Sequence, residues 1–185
     1  MGHPVNKTKA LPNQVQSQLP DGRILTIRGL LPTDIPQLAE VYCKAYEVNG
    51  ADEHWTPESA AALLRKLYTD YPGLSIVAQV GNEIVGATFG NIRPWESGKV
   101  ILEGKELFVH PEWQKLGIGN ELLRERLNRA EQWQKVTEVE FITFTDPEGP
   151  EGFHSRSGLA PVPELQIMSG PVEDVRFGLN KRSRR

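Results

Sequence analysis

The residues best suited to chemistry lie in the second half of the chain. Gly117 and Gly119, in the stretch WQKLGIG, fall between the apolar run KVILEGKELFV and a helical run, at the point where a helix has to begin. A helix start leaves several NH groups unpaired and carries partial positive charge, and glycine lets an anion approach the backbone with no Cβ in the way. Residues 114 to 120 therefore read as a phosphate-type anion site, with a plain tight turn as the competing reading. Two nucleotide motifs are excluded. No Gly-Lys-Ser/Thr follows as a P-loop requires, and Leu122 stands where a dinucleotide fingerprint needs its third glycine. Just upstream, Glu103 and Glu106 could each accept a proton, and strand alternation sends them to opposite faces unless a bulge intervenes. His154, in FHSRSGL, carries an imidazole that ordinarily titrates near neutrality and could donate a proton; packing beside Phe153 is the alternative. The stretch EVNGADEHWTPE gathers Glu47, Asp52, Glu53, His54 and Trp55. An acidic and aromatic lining of this kind suits a cation, although a solvated, helix-capping loop is the plainer account.

A definite order of elements must position these groups. RILTIRGL alternates as a strand, and Ile35, Leu38, Ala39, Tyr42, Ala45 and Tyr46 then recur at helical spacing after Thr33, a cap residue. TPESAAALLRKLYTDYPG predicts a second helix, with Thr56 as N-cap, Pro57 at its first position and Pro72-Gly73 as its stop. LSIVAQV, the turn GNE and IVGATFGNIRPW predict a β-hairpin, and KVILEGKELFV a further strand ended by His110-Pro111. Beyond the glycines, Leu122, Leu123, Leu127, Ala130 and Trp133 form one apolar stripe, while Glu125 and Arg129 can pair on the wet face. VTEVEFITF reads as a strand, GFHSRSG as a short helix or turn, and ELQIMSGPV as a last strand.

Length and composition limit what such a chain can be. With 185 residues, 38% hydrophobic and 24% charged, it is sized for one domain around a single core, and no apolar run reaches the roughly 18 residues of a membrane span. Residues 1–22 have the look of a loose arm without a secretory apolar region, so a cytoplasmic location is expected. The single Cys43 excludes an internal disulfide and a cysteine-based metal cluster; no metal is expected. It falls on an apolar helical face and reads as an inert thiol. Four of the 21 basic residues sit in the tail NKRSRR, which leaves an acidic body better matched to cationic small molecules than to nucleic acid or membrane.

The stretch ELFVHPEWQKLGIGNELL resembles the central motif of the GNAT superfamily of N-acetyltransferases: a strand ending in Val-x-Pro, then Arg or Gln, two residues, Gly, one residue, Gly or Ala, and an amphipathic helix. Gln114, Gly117 and Gly119 fill the defining positions. FHSRSGL resembles the family's later Phe-Tyr-x-x-x-Gly-Phe segment, with His154 in place of Tyr and Leu159 in place of Phe. The resemblance spans about residues 24 to 170. It implies an α/β fold of α+β type, a mixed splayed central sheet flanked by helices, in the order β-α-α-β-β-β-α-β-(α)-β, with a domain over 23–178 and a basic tail over 179–185. It further implies that acetyl-CoA enters the split sheet as acetyl donor, with Leu107, Phe108 and Val109 pairing with the pantetheine arm. The NH groups of Gln114, Lys115, Leu116, Gly117, Ile118, Gly119 and Asn120 would then meet the pyrophosphate. An NH near Phe108 or Val109 is the implied oxyanion donor, Glu106 the preferred base over Glu103, and His154 the stand-in for an acid-bearing tyrosine. Asp146 lies one residue from a position where family members often carry Asn. The implied activity is acetyl transfer to a primary amine by direct attack, on a small cationic molecule bound in part by Glu53 and Trp55. Protein N-termini or lysines, or acyl-CoA binding without turnover, are the alternatives, and a homodimer is left open.

Overall fold

A computed structural model describes residues 14–48, 53–167 and 171–176. Two strands, β1 (Gln14–Gln18) and β2 (Ile24–Gly29), lead into helices α1 (Ile35–Val48) and α2 (Pro57–Asp70). Strands β3 (Ile76–Val80), β4 (Glu83–Pro94) and β5 (Val100–Val109) follow, then α3 (Ile118–Trp133), β6 (Glu138–Phe141) and α4 (Pro150–Arg156). Helix α2 begins where the sequence places it: Thr56 Oγ1 accepts from the Ser59 NH at 3.3 Å and Pro57 occupies the first helical position. At α1 the expected cap moves by one residue. Pro32–Asp34 forms a 3-10 turn, Asp34 Oδ2 accepts from the Leu31 NH at 2.8 Å, and the same carboxylate is paired with Arg28, so Asp34 rather than Thr33 organises that corner.

The six strands lie in sequence order in one sheet, antiparallel through β5, with β6 joined parallel to β5. On one face α1 and α2 pack Leu38, Tyr42, Ala60 and Leu64 against Val77, Ala87, Phe89 and Phe108. On the other, α3 packs Ile118 and Leu122 against Leu25, Ile76, Ala78 and Val85. The pairing of β6 runs only from Ile101↔Glu138 to Gly104↔Phe141. Residues 105–109 of β5 therefore present an edge that no described strand covers, and the sheet is open there, as the splayed arrangement requires.

Two irregularities set which side chains reach this edge. Phe89 pairs with Glu106 but Gly90 pairs with Gly104, so Lys105 is an extra residue, a β-bulge. Because partners across a ladder share a face, Glu103, opposite Asn91, and Glu106, opposite Phe89, lie on the same side as α1 and α2. The alternation that separates them in a regular strand is cancelled. The second device is the bond from the His110 NH to Val85 O at 2.8 Å, which fixes the phase of β5. By strand alternation the NH and C=O of Phe108 point at β4, and those of Leu107 and Val109 at the open edge. Phe108 is thereby removed as an edge oxyanion donor, leaving its neighbours.

At the ends the architecture departs from expectation. The loose arm over 1–22 is shorter than anticipated, because Gln14–Gln18 is paired along β2; residues 1–13 lie outside the described residues. The last strand does not form over 164–167 or 171–172, its remaining residues 168–170 lie outside the described ones, and so do residues 177–185 with the basic tail. The Glu125–Arg129 pair exists at 2.7 Å, but Glu125 is 3% exposed and Arg129 half-buried, so the pair is not on a wet face. Trp133, by contrast, stands largely exposed at the end of its stripe.

Candidate active site

Glu106 sits on the α1/α2 face of the open edge beneath two hydroxyls. Tyr46 donates to Oε2 at 2.7 Å and Tyr42 to Oε1 at 3.2 Å, both from α1, where an i, i+4 spacing stacks their rings with centroids 4.4 Å apart. Burial raises the Glu106 carboxyl above its ordinary range, and the Tyr46 and Tyr42 hydroxyls only partly oppose it. Burial, reinforced by Glu106, pushes both phenols up, so they remain protonated donors. Trp55 closes the group, its ring 5.1 Å from that of Tyr42 and its Nε1 donating to Glu53 Oε2 at 2.7 Å. The structure thus brings Glu53, Trp55 and Glu106 together. It adds Tyr42 and Tyr46, which had read only as part of an apolar stripe. Residues 49–52, including Asp52, lie outside the described residues.

Glu103 shares the face but not the environment. Burial would raise its carboxyl, yet hydrogen bonds from Lys105 and Arg93 outweigh this and hold it below the ordinary value. Arg93 reaches it through Nε, bonds Glu140 at 2.8 Å through Nη2 and lies over the Trp95 ring. A carboxylate so neutralised is a poor base, which separates the two candidates by environment rather than by direction.

The glycine turn follows directly from the end of β5. Gln114 Nε2 donates to Val109 O at 3.0 Å, which ties the turn to the strand and occupies that edge carbonyl. His110 is structural: it is buried, and its Nδ1 accepts from the Glu112 NH. Lys115 adopts a φ of 61° and Gly117 a φ of 86°, and Gly117 is the N-cap of α3. At the two ends of the turn, the Gln114 NH donates to Pro111 O and the Asn120 NH to Gly117 O. Among the described backbone bonds none uses the NH groups of residues 115 to 119, so the anion-binding reading narrows to those five. A Cβ on Gly117 would meet nothing within 4 Å, whereas one on Gly119 would come to 3.2 Å of the Phe153 ring. Leu116 and Ile118 pack into the α3-side core and contribute backbone only.

On the α3/α4 face, Phe141 lies across Gly104, the last pair before β5 and β6 part. The His154 ring packs on it at 4.2 Å, while Phe153 turns toward Gly119. His154 is 8% exposed, and burial together with the neighbouring Arg126 holds its pKa below the ordinary histidine value. Near neutral pH the ring is therefore uncharged, and the imidazolium expected as a proton donor is not the prevailing form. Asp146 serves its own loop, accepting from the Glu148 NH at 3.1 Å. Cys43 is half-buried against the core, and burial raises its thiol. Among the described residues no three His, Cys, Asp or Glu side chains gather as a metal site, and no described helix is long and apolar enough to cross a membrane.

The chain can now be set beside known proteins. Residues 35–158 match the model of the acetyltransferase (GNAT) family. The L-amino acid N-acetyltransferase AaaT of Escherichia coli (strain K12) is 24% identical over 108 residues, 58% of this chain, which spans about three fifths (61%) of that relative's length. Aminoglycoside N-acetyltransferase AAC(6')-Iy, solved in complex with CoA, superposes with a TM-score of 0.60 at 16% identity over 82% of this chain and 97% of that one. A predicted acetyltransferase with acetyl-CoA from Clostridium acetobutylicum superposes with a TM-score of 0.63 at 13% identity, over 78% and 96%. At such identities these two structures speak to the fold, and the matched residues carry the conclusion that follows. With a glycine-led α3 on the uncovered end of β5 and a family match over most of the ordered body, the chain belongs to the acetyltransferase (GNAT) family.

Proposed function

We propose that the protein transfers an acetyl group from acetyl-CoA to the primary amine of a small cationic molecule. The observation that carries this reading is Glu106, half-buried beneath Tyr42 and Tyr46 at the uncovered edge of β5. The donor fits the chain: the edge at Leu107 and Val109 can pair with an amide-bearing arm, and the open space beside Gly117 admits phosphate. The acceptor enters on the α1/α2 face, where Glu53 and Glu106 are acidic and Tyr46 and Trp55 offer ring faces to an ammonium. Glu106 takes a proton from that ammonium, and an edge NH of Leu107 or Val109 polarises the acyl carbonyl. The nitrogen–carbon bond forms as the carbon–sulfur bond breaks, its electron pair leaves on sulfur, and the nitrogen gives up its second proton to water as the amide forms. The substrates for which these two relatives are named, an amino acid and an aminoglycoside, support a small acceptor. The test is calorimetry with acetyl-CoA, followed by thiol release over a panel of polyamines, aminoglycosides, amino acids and peptides. Turnover with a small polyamine or aminoglycoside is the expected result. Turnover confined to peptides would move the reading to protein acetylation, and tight binding without turnover on any amine would make the domain a sensor.

A further inference from the structure

Among the described residues, Arg126 is the most anomalous side chain. It sits midway between Leu122 and Ala130, at i+4 steps along the buried stripe of α3, and none of it is exposed. Its Nη1 donates to Thr88 Oγ1 at 2.7 Å and to Phe89 O at 3.1 Å, while Nε and Nη2 have no partner. The charged neighbours are committed elsewhere: Glu125 to Arg129, Glu140 to Arg93, and Glu103 to Arg93 and Lys105. On α4, His154 is the titratable group that the guanidinium influences. Burial lowers Arg126 to about 9, so it stays a cation at neutral pH, and no acidic group offsets that burial. A lone buried charge is costly to a fold, and replacing such a group by an apolar one is often neutral or stabilising.

The position of the charge gives it a use. The guanidinium lies 4.6 Å from the centroid of Phe141, the ring on which His154 also packs, at the last β5–β6 pair before the sheet opens. Gly90 supplies the room, since a Cβ there would come to 3.1 Å of the Arg126 side chain. His154 Nδ1, on the other side of the cluster, is likewise buried and unpartnered. We propose that Arg126 is a fixed counter-charge for the sulfur anion left when the thioester bond breaks, with His154 as the neutral hydrogen-bonding group beside it. This rests on the acetyl-transfer reading above. The balance is complete: the ammonium gives one proton to Glu106 and on to solvent before attack, the nitrogen gives a second to water as the amide forms, the bond pair stays on sulfur, and the thiolate departs or takes a proton from water outside the site. Arg126 acts as a positioning charge, since nothing places it in contact with the reacting atoms.

The test reads the thiol of bound CoA, not turnover. Ultraviolet absorbance of the thiolate is titrated against pH for CoA free and bound to the wild-type protein, with desulfo-CoA as the blank. The expected result is a bound thiol pKa lower than the free one by about one unit or more, as a nearby cation lowers a cysteine thiol. Arg126→Met should return it toward the free value and melt no lower than wild type without ligand, and Arg126→Lys should keep part of the shift. An unshifted thiol in the wild-type complex overturns the proposal whether or not the variants fold. So does an Arg126→Met protein that folds, binds CoA and keeps the full shift. Failure of both CoA and desulfo-CoA to bind would instead remove the acetyl-transfer reading on which the proposal stands.

Discussion

As the proposed base, Glu106 is expected to act in opposite directions on stability and on rate. Its folded carboxyl holds a proton more firmly than the unfolded chain does, so the native state loses stability as pH rises from the ordinary carboxyl range through the raised value. At neutral pH the charged form is therefore a burden. Glu106→Gln should melt at or above the wild-type temperature while turnover falls by about 10²–10⁴-fold, the usual range for loss of a general base. Glu103→Gln should do the reverse, lowering the melting temperature because Arg93 and Lys105 lose the negative charge they share, and leaving turnover within a few-fold. Thermal melts and thiol release on the same preparations check both, and equal losses of rate would remove the assignment of base. Tyr46→Phe deletes a donor that lowers the Glu106 pKa, so the acid limb of the rate profile should move alkaline in that variant. None of this tyrosine chemistry was legible in the sequence. Tyr42 and Tyr46 have the spacing of an apolar stripe, and the signal they carry, a polar tip on each ring, becomes informative only once a carboxylate lies opposite. Arg126 was more legible: a cation on the line from Leu122 to Ala130 contradicts the stripe, and that contradiction was open to notice.

At the scale of elements, the glycine turn and the parting of β5 from β6 follow from local sequence. Trp113 and Ile118 bury on either side of WQKLGIG, and Gly117 takes the left-handed φ between them. Gly117→Asp has space for its side chain but strains the left-handed backbone there and adds negative charge beside the NH groups of residues 115 to 119. It should fold and lose measurable acetyl-CoA binding by calorimetry. Gly119→Ala should weaken binding less, by displacing the Phe153 ring a few tenths of an ångström. Unchanged affinity in a folded Gly117→Asp protein would relocate the pyrophosphate. The element order was readable from β2 to α4 because each piece has its own period and stop signals. The termini were not. In Gln14–Gln18 only Val15 is apolar, so it gives no strand period and pairs because β2 offers it an edge. ELQIMSGPV alternates well, yet no strand forms over 164–167, where Leu165 and Ile167 are left exposed.

For the whole molecule, ligand and pH act on one folding equilibrium. If acetyl-CoA binds only the native state, a concentration of 100 times Kd adds about 2.7 kcal/mol, or roughly 5–10 °C in melting temperature for a domain of this size. Scanning calorimetry with and without the ligand checks this, and no shift at saturation would contradict a native-state site. Acid should act through His154. Its folded pKa lies below the ordinary 6.5, so the unfolded chain takes up the proton first, and stability falls as pH drops below about 6.5 toward the folded value. In His154→Phe that segment of the stability curve should flatten, and an unchanged slope would assign the acid sensitivity to other groups.

The extra residue at Lys105 has a consequence for how this chain can diverge. Substitutions in β5 alter one side chain each, and a one-codon deletion at Lys105 would remove the bulge yet leave Glu103 and Glu106 two positions apart, still on one face. Both would keep the compartment they now share with Tyr42, Tyr46 and Arg93. At this position strand length is free to drift: descent can shed the extra residue without re-addressing either carboxylate from one side of the sheet to the other.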